Sequence, residues 1–380
     1  MSVQLRGKTW NHERGLAPLL ASAELYRTAN PDVSVTWEAH SLQDFASFSV
    51  VELAERYDLM VIDHPHLGAA IAEGALVAID SVAPPGVLAK LARLSVGPSY
   101  DSYVLDGHLW ALPIDTAAQV AVYRPDLLDD GDVPHGWEQV EELAVRGLVL
   151  WPLKPIDALC SFFTLAANRG TPCVDASGRF IAESSAIAVL EAMAAVAAHV
   201  PPECHSWDPI VTLDALATQD IAVYVPLSFG YSNYSRPGYA LRPLRAANMP
   251  AIGDNGPVGS VLGGAGLAVS ARCKDRDHAI KYALWLASPE VQSTTYVTTG
   301  GQPGLSEAWD NDEANLLTDG FFRRTRRTLD ASWMRPRAAG FIDFQDVAGL
   351  VVSNFLRTGG PARSTAHDLR GLYEDLVLPY

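Results

Sequence analysis

Five residues carry side chains able to move a proton or hold a polar ligand: His12, Asp63, His64, His66 and Asp115. Imidazole titrates near neutrality and a nearby carboxylate tunes it, so His64, His66 and Asp115 could serve as general acid and base. The same groups can instead hydrogen-bond the hydroxyls or carboxylate of a ligand that leaves unchanged, which is the preferred reading. Metal ligation is a third use of imidazole and carboxylate. In the run VIDHPH, however, His64 and His66 stand two apart. On an extended backbone they point one way and Asp63 another. That spacing matches no zinc signature, and no metal is expected.

Aromatic and cationic side chains near predicted strand ends widen the set. Trp10, Trp151, Phe229, Tyr231 and Trp333 are of a kind that stacks on flat ligand faces, although aromatic rings also fill cores. Arg14, Arg124, Arg236 and Arg335 offer bidentate guanidinium contacts to an anion. Gln119 completes the candidate ligand-binding residues. The chain has no G-x-S-x-G nucleophile elbow, phosphate loop or dinucleotide fingerprint. LGGAGL is glycine-rich, but it falls within a predicted strand pair and opens no helix, so neither a nucleotide nor any other cofactor is expected.

These side chains need elements to carry them. Residues 3 to 9 read as a strand, followed by a loop from Trp10 to Gly15. LAPLLASAELYRTAN has apolar positions at helical spacing and stops before Pro31. DVSVTWEAH alternates as a strand, SLQDFASFSVVELAERY reads as a helix opened by Ser41, and DLMVID is an apolar run suited to a strand buried on both faces. Alternating strands and helices predict a parallel sheet with crossover helices, whose ligands sit outside the carboxyl ends of the strands. The loops with His12 and with Asp63-His64-Pro65-His66 both leave such ends. Further on, a turn at Asp106-Gly107 leads to a strand, Pro113 and a second strand. Three helical segments follow, then a strand running into an aromatic loop at DIAVYVPLSFGYSNYS. GSVLGGAGLAVSARC reads as a strand pair, followed by two helices joined at Ser288-Pro289.

Composition limits the function. At 380 residues the chain exceeds what one core usually serves, so two domains are expected. Without a low-complexity linker, the chain should cross between them more than once. A formal charge of −16 argues against a nucleic-acid partner. The basic run at 323–327 reads as a solvated helix face. The four cysteines show no metal-type spacing and read as buried thiols. No apolar stretch is long enough to span a membrane, so no membrane insertion is expected. The opening MSVQLRGKTWNHERG lacks the pattern of a secretory signal, which points to the cytoplasm. A chain trimmed of its leader would belong to the periplasm instead.

Five segments, in order, resemble one family. YRTANPDVSVTWEAH is similar to its helix-then-strand opening, and YDLMVIDHPHLGAAIAEGALVAID to its next strand, helix and turn. DGHLWALPIDTAAQVAVYRPDLL resembles the first crossing between lobes. GGAGLAVSARCKDRDHAIKYALWLASPEVQSTTYVTTGGQPG resembles the return crossing, and WMRPRAAGFIDFQDVAGLVVSNFLRTG the closing segment. The family is that of the carbohydrate-type extracellular solute-binding proteins of bacterial ABC transporters. The resemblance implies an α/β, two-lobed, periplasmic-binding-protein-like fold, with a hinge and a ligand in an interlobe cleft. The lobes are expected at 1–112 with 258–310, and at 113–257 with 311–380. The function expected is binding of a small polar molecule by a monomer, with a transporter permease as partner only if the protein is exported. The alternative is an enzyme, a hydrolase or lyase, reusing that cleft for acid–base chemistry with His64, His66 and Asp115.

Overall fold

The computed structural model describes residues 2–41 and 49–378. They form two compact units, each assembled from several chain segments. Unit 1 holds residues 1–117, 263–317 and 337–339, and unit 2 holds 118–262, 318–336 and 340–380.

In unit 1 the chain opens with strand β1 (Val3–Trp10), helix α1 (Glu13–Ala29) and strand β2 (Val33–His40). The expected loop from Trp10 to Gly15 is shorter than the sequence suggested. His12 caps α1, its Nδ1 accepting the Arg14 backbone N–H at 3.0 Å, so the helix starts by Glu13. That bond satisfies one of the donors a helix start leaves open. The helix expected from Ser41 lies partly outside the described residues, and its described part is α2 (Val50–Arg56). Strand β3 (Leu59–Ile62) is buried at all four positions, as a two-sided strand requires. β1 pairs in parallel with both β2 and β3, which gives the expected crossover sheet. A short helix, α3 (Leu67–Ala72), follows.

The next long strand, β4 (Ala111–Tyr123), is one strand rather than two, and Pro113 does not interrupt it. Proline lacks a ladder donor, but it is tolerated near a strand's first residues, where Pro113 sits. β4 begins in unit 1 and ends in unit 2. Within unit 2 its later residues pair antiparallel with β5 (Tyr224–Phe229), Gln119 facing Phe229, and with β6 (Arg245–Ala247). Helices Trp137–Val145, α4 (Pro155–Asn168) and Glu183–Ala197 match the helical segments read from the sequence.

The glycine-rich segment is also a single strand, β7 (Leu262–Val269), antiparallel to β3. Its glycines permit close approach, not a hairpin. A Cβ on Gly264, whose φ is +104°, would stand 2.3 Å from the Asp115 carbonyl oxygen. Helix α5 (Arg276–Leu286) then leads through Pro289 into a five-residue π-helical turn, Gln292–Tyr296. In unit 2 the basic run lies on helix Phe321–Asp330 with its arginines exposed or partly so, and α6 (Phe341–Thr358) packs on α4. All four cysteines are buried. Among the described residues no helix is long and apolar enough to cross a membrane.

Candidate functional site

The corner after β3 is a 3-10 turn, His64–His66, not extended chain. Asp63 caps it, its carboxylate accepting the His64 backbone N–H at 2.8 Å. Pro65 favours the turn because its ring fixes φ near the helical value. The two histidines therefore do not project side by side as an extended strand would place them. His64 is 1% exposed, with Nδ1 3.1 Å from the Asp63 carboxylate and its ring edge-on to Tyr103. His66 is partly buried. The turn is locked from behind by Gly68: a Cβ there would lie 2.1 Å from the Arg337 carbonyl oxygen. Arg337 in turn donates through Nη1 to the carbonyls of Asp101 and Val104, at 2.8 and 2.6 Å.

The second carboxylate lies with an arginine. Arg14 Nε donates to Asp115 Oδ2 at 2.9 Å, and Arg14 Nη2 donates to Asp115 Oδ1. The side chains are 4% and 1% exposed. Burial pushes the Asp115 carboxyl up from its ordinary value, while Arg14 and a bond from the Gln302 backbone pull it down. His12, at the head of the same helix as Arg14, is held down to about 4 by desolvation and by the Arg14 charge. It is neutral at pH 7, and because Nδ1 accepts from the backbone, its proton resides on Nε2. The sequence cast Asp115 as the acid–base partner of the histidines. The fold gives its carboxylate to Arg14 in a fork-to-fork contact. Trp10, at the end of β1, belongs to the hydrophobic core.

Unit 2 gathers a separate set. Gln119 and Trp151, both 0% exposed, meet on Ser161: Gln119 Nε2 lies 3.3 Å and Trp151 Nε1 3.2 Å from its hydroxyl. Thr164 donates to Gln119 Oε1 at 2.6 Å and accepts the Val261 backbone N–H at 3.0 Å. Ser260 donates to the Gln119 carbonyl at 2.6 Å and accepts, through its own carbonyl, the Trp333 backbone N–H at 2.7 Å. Gln119 thus braces the segment that carries Trp333, whose ring stands edge-on to Phe163. Phe229 is partly buried, and Tyr231 is 7% exposed. Arg335, 5% exposed, donates to Gln345 at 3.0 Å. Arg124 is spent inside the unit, with Asp126 bidentate at 2.7 Å and Asp220 at 3.2 Å. Such a guanidinium is a structural tie rather than an anion clamp.

A family model described as bacterial extracellular solute-binding protein matches residues 21–317. The chain belongs to this family. Among curated proteins none matches it. Solved structures of solute-binding proteins match over nearly the whole length. One is MalE3 of T. maritima with maltose, at 17% identity and TM-score 0.82, covering 99% of this chain and 100% of that one. Another is a solute-binding protein from Agrobacterium radiobacter K84 in complex with ribitol, at 20% identity and TM-score 0.82, covering 98% of each chain. A third, from Agrobacterium vitis S4 with D-mannitol, has 16% identity and TM-score 0.77, again covering 98% of each. These likenesses show the α/β, two-lobed solute-binding fold.

In this solute-binding protein the Arg14–Asp115 pair sets guanidinium donors against carboxylate acceptors. Among the described residues no group of three or more His, Cys, Asp and Glu side chains is arranged to hold a metal. Gln302, Ser161 and Thr164 escaped the sequence reading. The last two had a signal: they are polar residues three apart on a helix otherwise apolar around them, and a buried hydroxyl needs a partner.

Proposed function

We propose that this protein binds a neutral polyhydroxyl ligand, a sugar or polyol, through the Arg14–Asp115 pair and the Asp63–His66 corner. The observation that carries the reading is the bidentate pair itself. Its two charges cancel, and His12 beside it is neutral at pH 7. An anionic ligand would meet no uncompensated positive charge at the pair, whereas hydroxyls can donate to the carboxylate and accept from the guanidinium. Membership of the solute-binding family supports a ligand that is held and released, and the similar structures with maltose, ribitol and D-mannitol support its class.

Isothermal titration of the pure protein with maltose, ribitol, D-mannitol and glucuronate tests this. At least one neutral compound should bind with a Kd in the micromolar range or below, and glucuronate more weakly. Selective binding of glucuronate would overturn the reading. Recovering the bound compound and comparing its mass before and after incubation separates binding from catalysis. An altered mass would favour an enzyme.

A further inference from the structure

The Arg14–Asp115 pair is backed by the segment Gly301-Gln302-Pro303-Gly304. The Gln302 backbone bonds the Asp115 carboxylate. Gln302 Nε2 donates to the Thr116 carbonyl at 3.1 Å, and the Thr116 N–H donates back to the Gln302 carbonyl at 2.9 Å. Asp115 and Pro303 form a β-bridge. The segment can press this close because position 304 is glycine: a Cβ there would stand 2.5 Å from the Pro113 carbonyl oxygen. The segment is held further by Trp309, whose Nε1 donates to the Pro303 carbonyl at 2.7 Å, by Ser99, whose hydroxyl lies 3.4 Å from the Gly304 carbonyl, and by Gln292, which is 0% exposed. Gln292 Oε1 accepts the Gly304 N–H at 2.9 Å, and its Nε2 donates to the Leu286 carbonyl at 3.1 Å. Gln292 also begins the π-helical turn that ends at Tyr296. Such turns are uncommon and concentrate at functional sites. The Tyr296 ring is buried and feels the charges of both Asp115 and Arg14.

We propose that Gln292 is a positioning residue for ligand binding. It ties the end of α5 to the 301–304 segment, and through that segment it sets the carboxylate that holds Arg14. The proposal rests on the reading that Arg14 and Asp115 meet the ligand, so its test includes a measurement made without ligand. Gln292→Met keeps the length and volume of the side chain and removes both hydrogen bonds. Gln292→Glu keeps the acceptor for Gly304.

In the ligand-free methionine variant, amide hydrogen exchange in 112–118 and 300–306 should quicken about tenfold, as expected for loss of a buried hydrogen bond. Exchange in 59–62 should stay unchanged. The Kd for whichever of maltose, ribitol and D-mannitol the unaltered protein binds should rise by about tenfold, the equivalent of one such bond. At pH 5, where a buried glutamic acid keeps its proton and can still donate to the Leu286 carbonyl, Gln292→Glu should hold 300–306 near its unaltered rate. Unchanged exchange in the methionine variant, exchange raised equally in 59–62, or loss of protection at 300–306 in the glutamate variant would each overturn the proposal. If the unaltered protein binds none of the three compounds, the ligand assignment falls, and exchange still decides the role of Gln292.

Discussion

Arg14 and Asp115 lie 101 residues apart in sequence and meet in unit 1 through two hydrogen bonds, one of them Nε to Oδ2 at 2.9 Å. The pair ties the start of α1 to β4. Two buried charges give little net stability when both are present, because desolvation offsets their attraction. Removing one partner strands the other.

Arg14→Met or Asp115→Leu alone should therefore destabilise the protein by about 3–5 kcal/mol, and the double variant by clearly less than the sum. Urea denaturation of the four proteins measures the coupling. Additive losses would mean that the pair does not act as a unit. Ligand affinity should fall in all three variants, including the double one.

His12 makes stability depend on pH. Its pKa of about 4 in the folded protein lies below the ordinary value of about 6.5 in an unfolded chain. A depressed value means the unfolded state takes up the proton first. The contribution is thus fully present above pH 6.5 and is lost as pH falls toward 4. His12→Ser keeps a side-chain cap for α1 but does not titrate. The variant should lose less stability than the unaltered protein between pH 7 and pH 5, as read from urea midpoints. Equal losses would show that His12 is not the titrating group.

Gly68 tests the corner that carries His64 and His66. Its missing Cβ leaves room for the backbone oxygen of Arg337, which cannot swing away as a flexible side-chain end could. Gly68→Ala should cost about 1–3 kcal/mol as overpacking, even though alanine is the better helix former. A rise in melting temperature would show that the 337–339 segment moves freely.

How much of this was readable before the structure follows from what each signal depends on. The first strands and helices were legible because their periodicity is local, as in β2 and α1. The corner at 63–66 was read as extended because VIDHPH continues an apolar strand. The Asp63 carboxylate bond and the proline ring close it into a turn instead. LGGAGL looked like a hairpin because glycine marks turns, whereas here Gly264 clears the backbone of β4. Arg14 looked like any surface charge, since nothing local announces a partner 101 residues away. Residue types named candidates, but only long-range packing could assign their partners.

Asp157 offers the last test. It sits in the first turn of α4, 4% exposed, with Oδ2 lacking a hydrogen-bond partner among the described residues. Burial first, then the nearby Asp208 carboxylate, push its carboxyl well above the ordinary range, and Lys154 only partly opposes them. A raised value means the folded state keeps its proton while the unfolded chain, with a pKa of about 3.9, gives it up. Stability tied to this group is therefore whole below about pH 4 and is lost as pH rises through the folded value. Asp157→Asn has nearly the same shape and never ionises. It should stabilise the protein by on the order of 2 kcal/mol at pH 8, the scale of an uncompensated buried polar group, and by little at pH 4. Urea denaturation at both values measures the difference. A gain that is the same at pH 4 and pH 8 would mean the carboxyl does not titrate as burial demands. Destabilisation at pH 8 would mean that the ionised carboxylate has a partner that the asparagine cannot keep.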